Sequence, residues 1–170
     1  MKNFKRLKIS RIFVILTLLA IFILISAISY VDAVSNNISD SVFRLHVIAN
    51  SDSEEDQTLK LKVRDNLLEY MNTIAKDSTN KEEAMRIASE HKNEFIQIAE
   101  KTIRENGYEY TVNIQIGKAD FPTKYYGDIT LPAGEYDALK VEIGEAKGKN
   151  WWCVMFPPLC FVDVSTGVVP

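Results

Sequence analysis

Tyr108-Glu-Tyr-Thr-Val-Asn-Ile-Gln-Ile116 alternates apolar and polar residues without a break. Side chains two apart share a face of a strand, so Tyr108, Tyr110, Val112, Ile114 and Ile116 form a core face and Glu109, Thr111, Asn113 and Gln115 a wet one. One dry and one wet face point to an antiparallel sheet covered on one side. Tyr136 to Ile143 alternates in the same way, with Leu139, Val141 and Ile143 opposite Lys140 and Glu142. Gly144 to Lys149 reads as a hairpin turn into a last strand, Trp151 to Phe156. Upstream, Phe43-Arg-Leu-His-Val-Ile-Ala49 places Phe43, Leu45, Val47 and Ala49 on one face and Arg44, His46 and Ile48 on the other. The Pro- and Gly-punctuated stretch from Phe121 to Gly134 reads as a loop or edge strand, because proline lacks the ladder donor.

Two helices are expected between the first strand and the second. Ser53 is a plausible N-cap, Glu54, Glu55 and Asp56 suit the positive end of a helix, and Leu59, Val63, Leu67, Met71 and Ile74 recur at helical spacing up to about Lys76. Thr79 or Asn80 caps a second helix whose stripe is Ala84, Ile87, Ala88, His91, Phe95, Ile98, Ala99 and Ile103, and Gly107 stops it. The fold expected is α+β, a small antiparallel sheet with both helices on one face. Its other face would then display Arg44, His46, Glu109, Thr111, Asn113, Gln115, Lys140, Glu142 and one tryptophan.

The N-terminus sets the chain's relation to a membrane. Lys2, Lys5, Arg6, Lys8 and Arg11 precede Ile12 to Val31, which runs 20 residues without a charge. Such a helix is about 30 Å long, the thickness of the bilayer's hydrocarbon core, and the basic flank should stay in the cytoplasm. The length suits an uncleaved anchor. It also suits a signal segment cleaved near Ala27-Ile28-Ser29 or Val31-Asp32-Ala33. The chain thus reads as a basic stub and membrane or signal segment over 1–33, a Ser/Asn-rich linker over 34–41 and an exported domain over 42–170. Beyond the five N-terminal bases and Asp32, 15 basic and 22 acidic residues remain, a net charge of −7. Nucleic acid is excluded as a partner on that ground, since phosphate binding needs clustered bases.

Asn150 to Phe161, Asn-Trp-Trp-Cys-Val-Met-Phe-Pro-Pro-Leu-Cys-Phe, gathers both tryptophans, both cysteines and two of the five prolines. Adjacent tryptophans in a strand point to opposite faces, so one enters the core and the other needs separate cover. A tryptophan among polar residues favours a binding face, here Arg44, His46, Asn50, Asp52, Trp151, Trp152 and Phe156. Cys153 and Cys160 either form a disulfide closing an eight-residue loop, worth about 2.5 kcal/mol, or remain two buried thiols. An enzyme reading would make Cys153 a nucleophile with His46 as base and Asn50 or Asp52 as orienter, but no local signature accompanies them. His46, Asp52 and Asp56 could ligate a metal, although the two aspartates suit a helix start better, and His91 reads as a boundary residue. Neither a phosphate loop nor a nucleophile elbow is present, so no catalytic residue, cofactor or metal is assigned.

Five blocks in order, Arg44-Leu-His-Val-Ile-Ala-Asn-Ser-Asp52, Leu61-Lys-Val-Arg-Asp65, Phe121-Pro-Thr-Lys-Tyr-Tyr-Gly-Asp128, Leu131-Pro-Ala-Gly-Glu-Tyr136 and Asn150 to Phe161, resemble the stage II sporulation protein R family. The resemblance implies a protein made in the forespore and exported across its membrane into the space between the two cells, either anchored or secreted. There it would activate a membrane-embedded aspartic protease of the mother cell that processes a pro-sigma factor. It would be a signalling ligand and not an enzyme; the alternative is an exported hydrolase using His46 with Cys153 or an acidic residue. The chain stops at Pro170, soon after the cysteine block, where such relatives often continue.

Overall fold

The computed structural model describes residues 2–127 and 129–160, with side chains at 13–30 and from 38 onward. Asp128 and residues 161–170, among them Phe161 at the end of the tryptophan and cysteine block, lie outside the described residues. The chain divides into two compact units, Met1–Asn37 and Ile38–Pro170. Helix α1, Lys2–Ser39, contains the window Phe13–Tyr30, which is long and apolar enough to cross a membrane. The backbone stays helical to Ser39, through most of the stretch whose composition reads as a linker, because no glycine or proline stops it there.

The second unit is α+β. Strand β1 (Phe43–Ile48) is followed by α2 (Glu54–Ile74), α3 (Lys81–Glu90) and α4 (Lys92–Glu105), then by β2 (Val112–Phe121), β3 (Lys124–Tyr126), β4 (Ile129–Leu131), β5 (Gly134–Ile143) and β6 (Asn150–Phe156). Four strands form one sheet in the order β2-β5-β1-β6, and β3 and β4 form a separate antiparallel ribbon. The sheet is mixed where alternation suggests a purely antiparallel one. β1 runs parallel to β5, with Leu45 opposite Leu139 and Val47 opposite Val141, whereas β6 on β1 and β2 on β5 are antiparallel. Alternation reports which side of a strand is dry, not which way its neighbour runs.

Phe43, Leu45 and Val47 of β1 join Val63 and Leu67 of α2 and Phe95 and Ile103 of α4 in one buried core. Ser53 caps α2 by accepting from the Asp56 amide (3.2 Å). Asn80 caps α3 by accepting from Glu83 N (2.9 Å), and Glu83 reaches back to Thr79 N (3.0 Å), so two orphan donors are satisfied reciprocally. The second expected helix is in fact two, α3 and α4, broken at His91 (φ −100°, ψ 21°), where no glycine or proline marks the break. The alternating stretch at Tyr108 joins the sheet only from Val112: Tyr108 and Tyr110 stack on each other ahead of the strand.

Residues 144–149 are not a hairpin turn, because β1 lies between β5 and β6. This segment crosses the end of β1 and is bonded to it residue by residue. Gly148 N donates to Ala49 O (2.9 Å), Lys147 N to Asn50 O (3.1 Å), Glu145 N to Asn50 Oδ1 (2.9 Å) and Lys149 N to Asp52 Oδ1 (2.6 Å). Gly148 is required by this close approach, since a Cβ there would collide with the Ser51 carbonyl. Gly148→Ala should therefore lower the unfolding free energy by about 1–3 kcal/mol. Gly134→Ala, whose new methyl would make only ordinary contact with the Tyr136 ring, should cost clearly less. Urea denaturation of both variants checks this; equal midpoints would contradict a tightly packed crossing.

Candidate functional site

Arg44, His46 and Ile48 point away from the helices, and register places Ala138, Lys140 and Glu142 of β5 and Trp152 and Asn150 of β6 beside them. This face was expected to be open, and at Arg44 it is closed. Arg44 is 0% exposed. Its guanidinium carbon lies 4.0 Å from the Phe121 ring centre and 4.6 Å from that of Tyr136, and its Nη2 donates to Tyr126 Oη (3.0 Å). Nε and Nη1 are buried with no acceptor in hydrogen-bonding geometry among the described residues. Burial pulls Arg44 below its ordinary pKa, opposed first by Tyr126 and then by Tyr136, and an arginine so placed is still a cation at neutral pH. Arg44 is thus an internal residue, not a surface contact.

The roof over Arg44 is the β3–β4 ribbon, whose inward side chains Tyr126 and Leu131 are buried. The Tyr126 hydroxyl in turn donates a hydrogen bond to the Trp152 carbonyl (3.3 Å), linking ribbon, Arg44 and β6. Next along β1 the cover thins. His46 and Trp152 lie ring on ring, centroids 3.6 Å apart and planes 19° from parallel, with Phe121 edge-on to both. His46 Nε2 donates to Asn150 Oδ1 (2.7 Å), which fixes the tautomer. Burial pushes the His46 imidazole below its ordinary value and Lys140 adds to this, against the bond to Asn150 and the charge of Glu142. Lys140 is itself paired with Glu142 (2.6 Å), which also accepts from Asn113 Nδ2 (2.8 Å). The half-exposed Trp152 ring, His46 and exposed Asn150 form the candidate site.

The other candidates are placed elsewhere. Asn50 and Asp52 hold the 144–149 crossing, and Asn50 Nδ2 also donates to Asp56 (2.8 Å). Burial alone would raise the Asp56 carboxyl, but bonds from Ser51, Asn50 and Tyr110 together keep it below the usual carboxylate range. Trp151 points to the helix side, opposite Val47, with the Arg64 guanidinium 4.1 Å above its ring. Half-buried Phe156 lines a small cavity with Leu68, Met71 and Met155. Cys153 and Cys160 are disulfide-bonded, Cα atoms 5.3 Å apart. Cys153 pairs with Leu45 on the helix side while His46 faces away, so the thiol and base of the enzyme reading are not brought together. Among the described residues no three His, Cys, Asp or Glu side chains converge on a point that could hold a metal ion.

A family model described as stage II sporulation protein R matches residues 39–166, which take in the whole of this sheet. The chain belongs to the stage II sporulation protein R family. Stage II sporulation protein R of Bacillus subtilis (strain 168) is 44% identical to it over 130 residues, 76% of this chain. The chain spans about 58% of the length of that curated relative. No solved structure matches it. Within this member of the family, residue-type reasoning missed Phe121, Tyr126, Tyr136 and Asn150 as builders of the site. Phe121 and Tyr126 belong to the Phe121 to Gly134 stretch, whose prolines and glycines read as loop or edge strand; Tyr136 opens the alternating strand after it, and Asn150 opens the tryptophan block.

Because the folded-state pKa of His46 lies below its unfolded value, the unfolded chain binds more protons as the pH falls from about 6.5, and stability must drop there. Between pH 7.5 and 5.5 the denaturation midpoint should fall, and His46→Phe, which keeps a ring on Trp152, should flatten the dependence. A separate loss below about pH 4 follows from the depressed carboxyls of Asp56, Asp137 and Glu142 and should persist in the variant.

Proposed function

We propose that this chain is an exported signalling ligand that activates a membrane-embedded aspartic protease of the mother cell, which then processes a pro-sigma factor. It would act in the space between forespore and mother cell, anchored or released by its N-terminal segment. The observation that carries this reading is the half-open Trp152 ring, held rigidly on His46 at the edge of the sheet beside exposed Asn150. A partly exposed tryptophan of fixed orientation among polar groups is the usual anchor of a protein contact. The apolar α1 window suits export or anchoring, and the acidic charge keeps the domain soluble. The resemblance in the five sequence blocks is the ground for naming the protease as the partner.

Co-expression with the protease and its pro-sigma substrate in a non-sporulating host tests the reading. Processing should require this chain, and Trp152→Ala, purified and shown to be folded, should reduce it about tenfold or more. Equal processing without the chain removes the protease assignment. Unchanged processing with folded Trp152→Ala removes the site assignment alone. Turnover of a substrate by the isolated chain would favour the hydrolase instead, since a ligand has none.

A further inference from the structure

The Cys153–Cys160 bond lies where β6 has least support. β6 is an edge strand paired on one side only, with β1, and that register shifts between Arg44 and Phe43, at the strand's end. Beyond it residues 157–160 fold back: Cys160 N donates to Val154 O (3.1 Å), and the disulfide joins Cys160 to Cys153. The returning segment roofs a cavity of about 110 Å³ that Phe156, Pro158 and Cys160 share with Leu68 and Met71 of α2. The two cysteines are unequally placed. Cys153 is 2% exposed on the helix side, opposite Leu45, whereas Cys160 is partly exposed next to the solvent-facing Pro157 and Pro158. Cys153 also directly follows Trp152, so one short strand carries both the bond and the candidate site.

We infer that Cys160 is the site at which an external disulfide, on a protein or a small molecule, oxidises this chain, and that the resulting bond seats the end of β6. The Cys160 thiolate attacks one sulfur of the oxidant's disulfide, forming a mixed disulfide and releasing one thiolate. Cys153, as a thiolate, then attacks Cys160 Sγ, which closes the Cys153–Cys160 bond and releases the second. The two cysteine thiols thereby give up two electrons and two protons, and the oxidant's disulfide becomes two thiols. The reverse order is disfavoured because Cys153 is shielded between the sheet and the helices. Thiols stay reduced in a cytoplasm and pair in an oxidising space. On the export reading above, the bond therefore marks a chain that has crossed the membrane, while the exchange chemistry itself does not depend on that reading.

The test uses the full chain, purified in a mild detergent, reduced, and treated with oxidised glutathione as the probe disulfide. In Cys153→Ser a stable glutathione adduct should form on Cys160; in Cys160→Ser the adduct on Cys153 should form about tenfold or more slowly, until urea removes the difference. Peptide mapping of the wild-type chain, trapped by acid part-way through oxidation, should find the mixed disulfide on Cys160, which decides the order even where a variant fails to fold. Reduction of the folded wild type should lower its Tm by about 10 °C. Hydrogen exchange over residues 153–160 should quicken about tenfold or more on reduction, while that over β5 changes less than about twofold. An adduct that forms first on Cys153, or equal rates at the two positions, overturns the assignment to Cys160. Unchanged exchange over 153–160 overturns the bond's role at the end of β6. Free thiols in chain recovered under acid from the exported fraction of its host overturn the link to export alone.

Discussion

A cation buried in the central strand of the sheet governs how the domain is built. Arg44 lies fully inside, with no carboxylate among its hydrogen-bond or ion-pair partners in the described residues. Taking a guanidinium out of water costs several kcal/mol unless its charge is compensated. Here the compensation comes from ring faces and a hydroxyl, Phe121 and Tyr136 on one hand and Tyr126 on the other. Phe121 ends β2, Tyr136 lies in β5 and Tyr126 lies in the ribbon joining them. The long β2–β5 excursion must therefore fold back over the sheet. Without that roof the far face would expose a lone arginine beside apolar rings; with it, β1 is covered on both sides as a central strand with a parallel neighbour should be.

The α+β class and the helix starts were legible because they rest on local chemistry. Ser53 and Asn80 cap where the sequence puts them, and the stripes through Leu59, Val63 and Phe95, Ile103 face the core. What was not legible depends on distant residues. A strand carries no mark of its neighbour's direction, so the parallel β1–β5 pairing was hidden. The break at His91 uses an ordinary backbone conformation, so nothing in the residue types announces it. Polar residue types do not announce that the far face is covered at Arg44, since the cover comes from rings distant in sequence, two of them in the Pro- and Gly-punctuated stretch from Phe121 to Gly134. The division of the two tryptophans between faces was readable, since it follows from strand period alone.

The block from Arg44 to Asp52 shows how a motif can look functional and be structural. Asn50, Ser51 and Asp52 combine short polar side chains in the pattern of a candidate binding site. Their atoms are taken up by the 144–149 crossing and by Asp56, and the gap they leave admits only glycine at 148. The reason is topological. β6 must reach the far side of β1, and the connection can pass only over the strand's end, where each backbone group it brings needs a partner. Lys60, buried on α2, closes the same knot by donating to Lys149 O (3.0 Å).

The same logic separates the roles of the two tryptophans. Trp151 lies on the helix side, opposite Val47 and under the Arg64 guanidinium, with its Nε1 buried. Trp152 stacks on His46 on the other side of the sheet and stays partly exposed, while its carbonyl is held by the hydroxyl that also serves Arg44. The ring's position is therefore tied to the buried cation through a single oxygen. A change at Arg44 would act on the proposed contact around Trp152 by displacing Tyr126 and, with it, both the ribbon and the Trp152 backbone. Arg44 is in this sense a positioning residue: buried itself, it sets the geometry of Tyr126, the ribbon and the Trp152 backbone on that side of the sheet.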